Sequence, residues 1–434
     1  MHELQIGLLL MIATLIVLFS GVSIAFGLLA VSIIFLLIFE GTQPLASIPD
    51  VLMGELSAFA LLAVPMFIML GAAIGNSRAG PDIYESLYRW LSRVPGGLVI
   101  ANIMACGIFS SLCGSSPATA AAVGKVGIPE MIKRGVSPRL ASGSIAAGGT
   151  LGILIPPSIT LIIYGLATET SIARLFLAGV LPGIALVVLF SVYAWLSTFR
   201  RERGGAIVPE TFTLSEKFMG LLRAGPFLVV VTMVTVALYG GFATPSEVAG
   251  LAAILILVMV ILIYRVNLAQ LAVVLSSTAR ESSMILMIIA ASAVYAYMMS
   301  YLYITQTAAA WMTGLDLGKW GLLIIINLFL FVMGFFLPPV AIILMSMPVL
   351  LPVLTAYEID LIWFAIILTI NLEIGLITPP VGMNLFVIRG VAPDIRPIDI
   401  LLGALPFVFL MIGFIVILCF LPELATWLPN YLLG

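Results

Sequence analysis

Long apolar stretches separated by short polar ones dominate the chain. An apolar run of about 20 residues spans roughly 30 Å of hydrocarbon as a helix. Such runs lie near residues 4–20, 22–39, 57–75, 140–165, 175–199, 225–240, 246–264, 282–303, 361–388 and 400–420. Two more apolar stretches, 97–124 and 320–353, fit either spans or hairpins by length alone. No alternation of apolar and polar positions marks barrel strands. The pattern predicts an all-α polytopic membrane protein.

Composition agrees, with 62% of the 434 residues hydrophobic and 9% charged, where a soluble domain carries about 25% charged residues. The first run follows Met1-His2-Glu3, with no Lys or Arg and no cleavage site, so it reads as an uncleaved helix rather than a signal peptide. Cys106, Cys113 and Cys419 lie in apolar segments and His2 is the one histidine. They read as buried small residues, and no transition-metal cluster is expected.

Basic residues orient the spans. If segments 76–96, 125–139, 199–223, 265–280 and 389–396 face the cytoplasm, they hold 16 of the 18 Lys and Arg residues, leaving Arg174 and Lys319. This asymmetry puts both termini on the outer side. The stretch 97–124, GLVIANIMACGIFSSLCGSSPATAAAVG, then joins two basic segments that belong on the same face. It is therefore expected to be a re-entrant hairpin. Each half, about 14 residues and about 21 Å, stops short of the far side. The turn at GSSPAT falls near mid-membrane, where irregular backbone persists only inside protein or beside water.

GTLGILIPPS, residues 149–158, and EIGLITPPVG, residues 373–382, interrupt two spans in the same way. Matching Pro156-Pro157 to Pro379-Pro380 gives an offset of 379 − 156 = 223 residues. The same offset carries Pro129 to Pro352, Gly152 to Gly375 and Ser57 to Arg280, while Pro182 falls one residue from Pro406. The chain thus divides into two repeats. Residues 1–199 contain an arm helix (82–94), the hairpin 97–124 and the broken helix 140–165; residues 200–223 form a cytoplasmic linker. Residues 224–434 contain a second hairpin, 320–353, entering from outside with its tip near GFFLPPVA, and the broken helix 361–388. About five spans per repeat is an odd number, so the second repeat is inverted, as in secondary transporters. In the arm, Ile83, Leu87, Trp90, Leu91 and Val94 share one face, as in a helix lying at the interface. Its mate at 305–318 is less polar.

At a helix break, carbonyls without helical partners can coordinate a hard cation, and helix N-termini suit a carboxylate. Pro and Gly also kink membrane helices without binding anything. Here each break coincides with a hairpin tip at one offset, which favours two pseudo-symmetric ion sites flanking an anion site.

The segments GSSPATAAAVGKVGIPEM, GTLGILIPPSITLIIYGLATETSIARLFLAGVLPG and ITPPVGMNLFVI resemble the large membrane (M) subunit of tripartite ATP-independent periplasmic (TRAP) transporters, over essentially the whole chain. The resemblance implies an elevator-type symporter of the bacterial inner membrane that imports organic anions, often carboxylates, with sodium. It also implies a small four-helix membrane subunit and a periplasmic substrate-binding protein, with no cofactor beyond Na⁺. Matched residue by residue, it implies one sodium site at Ser111, Gly114, Ser115, Ser116, Gly152, Ile155 and Pro157. A second uses Gly334, Gly375, Thr378 and Val381, and substrate lies among Ser115, Ser116, Thr119, Thr378, Gly382 and Asn384. The offset pairs Gly334 with Ser111 and Gly375 with Gly152. Pro338-Pro339 at the second tip departs from the family, which often has an acidic or small polar residue there.

Other chemistry adds little. Glu373 lies within a span, where it could balance a cation, relay a proton or bond loosened backbone. Gly124-Lys125 lacks the remaining residues of a phosphate loop. An intramembrane protease would need a Ser–His pair, intramembrane aspartates or a metal motif, and none is present, so no enzyme and no nucleic-acid partner is expected. The rival reading is a self-sufficient ion-coupled dicarboxylate carrier working without a binding protein.

Overall fold

A computed structural model describes residues 3–202, 211–315 and 317–434, apart from the side chains of 199–202. Residues 203–210 of the expected linker and His2 lie outside the described residues. Within them the regular elements are helices, and the chain is a multi-pass membrane protein. Among the described residues six helices are long and apolar enough to cross a membrane, and the pair Gln43–Leu56 and Phe59–Gly75 adds a seventh only as a bent span, angled by 60°. Local chemistry sets several starts. Thr213 with Glu216, Thr244 with Glu247 and Asn267 with Gln270 form reciprocal capping boxes at the starts of Leu214–Tyr239, Pro245–Leu262 and Leu268–Tyr301.

Two expected boundaries are corrected. The sequence places a span start near 282, but the helix begins at Leu268 and runs unbroken to Tyr301. Arg280 and Glu281 interrupt its hydropathy, yet they leave its backbone hydrogen bonding intact. The segment 43–56, left between the expected spans 22–39 and 57–75, is a 3₁₀ turn leading into the helix Ile48–Leu56. By the offset these two regions correspond, so one half bends where the other continues straight. A last helix, Glu423–Leu433, was also unforeseen.

At the places read as hairpins and broken helices, paired helices recur 223 residues apart. The first hairpin consists of Gly97–Cys113 and Ser116–Lys133, and the second of Gly318–Gly334 and Pro339–Ala356. Both return limbs start at the same offset, 339 − 116 = 223. The limbs are longer than the sequence predicts: Gly97–Cys113 runs on to the tip and Ser116–Lys133 continues helical past Gly124, so at 17 and 18 residues they reach about 26 and 27 Å. Pro339–Ala356 is itself long and apolar enough to cross a membrane. The first broken helix comprises Pro138–Thr150, a 3₁₀ turn at Leu151–Ile153 and Ile159–Ala167. The second comprises Leu361–Leu376 and Met383–Val391. Serine and aspartate start these pieces: Ser137 accepts from the Leu140 N–H, Ser158 from that of Leu161, and Asp360 from those of Ile362 and Trp363.

Small residues let these elements approach closely. A Cβ on Gly143 would lie 2.1 Å from the Gly403 carbonyl, so Pro138–Thr150 and Pro397–Phe420 meet backbone to backbone. The ring of Phe407 then packs edge-on against Phe190 and Tyr193, with centroids 5.2 and 5.0 Å away, fixing Pro397–Phe420 against Ile172–Glu202. The arm is the helix Ala79–Leu91, anchored through Ile83, Tyr84 and Tyr88, while Trp90 is exposed and meets Phe218.

Candidate functional site

Each hairpin tip is pressed against the break of its neighbouring broken helix. At the first junction, Gly114 adopts a left-handed conformation, φ 60°, which ends Gly97–Cys113 and turns the chain. A Cβ there would stand 3.0 Å from the Pro157 carbonyl. Ser115 is extended, and its carbonyl accepts from Thr119 Oγ1 at 2.9 Å. Gly152 faces the same carbonyl: a Cβ on it would lie 2.7 Å away, leaving no room for any side chain. The structure thus brings Gly114 to Pro157 and Ser115 to Gly152. Ser111 sits a turn earlier, with its hydroxyl donating to the Ile108 carbonyl at 2.7 Å. Ile155 packs under Gly183 of Ile172–Glu202.

The second junction repeats the plan with a shifted register. A Cβ on Gly375 would lie 2.5 Å from the Gly334 carbonyl. Gly334 and Gly375 therefore meet, whereas at the first junction Gly152 meets Ser115 rather than Ser111, the mate of Gly334. The tips differ in length: residues 114–115 separate the first pair of limbs and residues 335–338 the second. Pro338-Pro339 fits this geometry. Pro338 is extended, φ −68° and ψ 150°, and Pro339 opens the return limb, a position that needs no N–H partner. The Val381 N–H donates to the Phe335 carbonyl at 3.3 Å. Thr378 Oγ1 donates to the Ile374 carbonyl, and Gly382, φ 55°, turns the chain into Met383–Val391.

Between the junctions, Ser116, Thr119 and Asn384 are fully buried. Asn384 Nδ2 donates to Ser116 Oγ at 2.8 Å and to the Ala146 carbonyl at 3.0 Å. Thr378 is half-buried and Val381 exposed, so the second junction is the more open one.

One feature escaped the sequence reading. Asn371 donates to both the carbonyl and Oδ1 of Asn327 at 2.9 Å, tying the second broken helix to the first limb of its hairpin. A pair of asparagines within otherwise apolar spans was the available signal. Glu373 is fully buried, and neither carboxyl oxygen has a hydrogen-bond partner among the described residues. It lies about 200° around the helix from both Asn371 and Gly375, on the face turned away from the second hairpin.

The family model for the tripartite ATP-independent periplasmic transporter, DctM component, matches residues 9–424. The chain belongs to this TRAP family. Among its relatives is the C4-dicarboxylate TRAP transporter large permease protein DctM of Pseudomonas aeruginosa, 35% identical over 86% of this chain and 87% of that protein. The protein of the same name from Vibrio cholerae is 34% identical over 95% of each. The isethionate TRAP transporter permease protein DctMQ of Oleidesulfovibrio alaskensis is 30% identical over 94% of this chain but only 64% of its own length. Among solved structures, the YdaH transporter of Alcanivorax borkumensis superposes with a TM-score of 0.65 at 15% identity, covering 92% of this chain and 91% of that one. That likeness concerns fold only. The TRAP large permease described here therefore shares its helical architecture with a transporter of very different sequence.

Proposed function

We propose that this TRAP large permease is the carrier subunit of a sodium-coupled symporter that imports organic anions, carboxylates foremost. The observation that carries the reading is the pair of junctions, where a hairpin tip and a helix break meet through glycine and carbonyl oxygens. Backbone oxygens at a broken helix suit Na⁺, and the helix starts at Ser116 and Met383 direct N–H groups toward an anion. The first cation site comprises Ser111, Gly114, Ser115, Ser116, Gly152, Ile155 and Pro157; the second comprises Gly334, Gly375, Thr378 and Val381. Substrate lies between them, against Ser115, Ser116, Thr119, Thr378, Gly382 and Asn384.

The 223-residue recurrence of elements supports two inverted repeats, with re-entrant hairpins from opposite faces and both termini periplasmic. The hairpins and broken helices then travel as one body in an elevator motion. Relatives named for C4-dicarboxylates, at 34 and 35% identity, support a carboxylate substrate. The DctMQ relative and the family's tripartite name support a small membrane subunit as partner; the same name supports a periplasmic binding protein and an inner-membrane setting. Energetically, a dianion entering against 100 mV faces roughly 4.6 kcal/mol, which two Na⁺ ions cancel.

The test is uptake into proteoliposomes holding the complete transporter. Uptake requires Na⁺ and the binding protein, and a cysteine at position 115 is modified from one face or the other as Na⁺ and substrate are changed. Equal support by K⁺, uptake of free substrate without the binding protein, or permanent inaccessibility of position 115 overturns the proposal.

A further inference from the structure

The amide of Asn384 is engaged entirely by protein. Its Nδ2 takes both Ser116 Oγ and the Ala146 carbonyl, and the Ser116 hydroxyl donates to its Oδ1 at 3.2 Å. All three residues are fully buried. Ser116 opens the return limb of the first hairpin, and Ala146 lies on the first broken helix, six residues before Gly152. One side chain from the second half of the chain therefore grips both members of the first junction. Three residues earlier, Val381 is bonded to the tip of the second hairpin through the Phe335 carbonyl. Residues 381–384 thus touch both junctions, with the left-handed Gly382 between the two contacts. The repeat supplies no mirror image of this bridge, because the mate of Asn384 is Leu161, buried and apolar.

We propose that residues 381–384 couple the two cation junctions, and that Asn384 is the positioning residue carrying the coupling; the proposal rests on the reading of the junctions as sodium sites. A cation drawn to the carbonyls of the second junction orders the backbone around Val381. Through one turn of chain this holds Asn384 in place, and its bonds hold Ser116 and Ala146 at the spacing the first cation needs. Filling either junction then favours filling the other, since coupling between sites is reciprocal.

The experiment is a sodium titration of substrate uptake by the complete transporter in proteoliposomes, paired with a sodium titration of its thermal unfolding in detergent without substrate. Wild type shows a Hill slope of about 2 in both, and Asn384→Ala and Asn384→Leu lower the slope to about 1 and raise half-saturating sodium about tenfold. Asn384→Asp keeps the shape but removes the Nδ2 donors and shows the same loss, which covers the case in which the other variants fail to assemble. A wild-type slope of about 1, or an unchanged slope in the Asn384 variants, overturns the coupling while leaving the sodium sites standing. Absence of any sodium effect on wild type overturns the underlying reading instead.

Discussion

Gly375→Ala puts the proposed second junction under the most direct test. The added methyl group would stand 2.5 Å from the Gly334 oxygen, 2.6 Å from its carbonyl carbon and 2.8 Å from its Cα. Ordinary contact requires about 3.4 Å, so the two segments must separate by close to 1 Å, and no flexible side chain can give way. Overpacking of this kind costs about 1–3 kcal/mol. A site built on backbone oxygens tolerates only about 0.5 Å of displacement, so the ligand geometry is lost before the fold is. We expect assembly in the membrane, a lower unfolding temperature, and sodium-dependent uptake reduced at least tenfold, chiefly through weaker sodium dependence. The assay is proteoliposome uptake across a sodium series, with detergent thermal unfolding as the stability readout. Gly413→Ala is the control: it lies in a membrane helix with open space around its Cβ, and Ala there gains about 1 kcal/mol of helix propensity. If Gly375→Ala transports with wild-type sodium dependence, the contact between the second tip and its break is not an ion site.

Three further outcomes follow from the same geometry. Ser116→Ala and Thr378→Ala are expected to weaken sodium-dependent uptake severalfold while membrane insertion stays normal, checked by uptake and by the yield of folded protein. Glu373→Met removes two buried carboxyl oxygens that lack partners, relieving a desolvation cost of about 1–3 kcal/mol. It should raise the unfolding temperature, and a fall would mean that the carboxyl is bonded in the working protein. Arg134→Ala removes the 3.0 Å ion pair with Glu130 and the guanidinium stacked 4.4 Å over the Tyr88 ring. That loosens the arm from the first hairpin by about 1 kcal/mol, seen as faster hydrogen exchange across 79–91.

The fold was legible where chemistry forces a break. Gly and Pro mark the interruptions of both broken helices, and a single offset transfers the first hairpin to the second, whose return limb begins at the expected mate. Legibility failed where one pattern allows two backbones. The helix Leu268–Tyr301 crosses Arg280 without a break, while its counterpart bends near Ser57. Hydropathy reads both as a polar interruption before a span. Gly152 and Gly375, named through the family resemblance and the offset, stand where backbone contact at a break leaves room only for the smallest residue. Which hairpin residue each one faces depends on tip length, which the offset alone does not carry. The tip of the first hairpin is two residues shorter than that of the second, so Ser115 rather than Ser111 faces Gly152.

That register difference bears on how the two halves divide the work. Identical junctions would bind cations independently and with similar strength, whichever filled first. Here no residue of the first junction is exposed: Ser116 is fully buried, Ser111, Ser115 and Ile155 are partly buried, and its hairpin tip is held from the opposite half by Asn384. The second has Val381 exposed and a four-residue tip ending in Pro338, with Pro339 opening the return limb. An open site admits a hydrated ion easily, whereas a closed one requires its walls to move before the ion loses its water. On the proposed reading of the junctions as sodium sites, the expected order is occupation of the second junction first, ordering of residues 381–384, and then closure of the first around its ion. Substrate would then arrive between two junctions whose charge and shape depend on sodium. A carrier that leaked sodium without substrate, or substrate without sodium, would need the two junctions uncoupled, and the bridge through Asn384 is the element that opposes this.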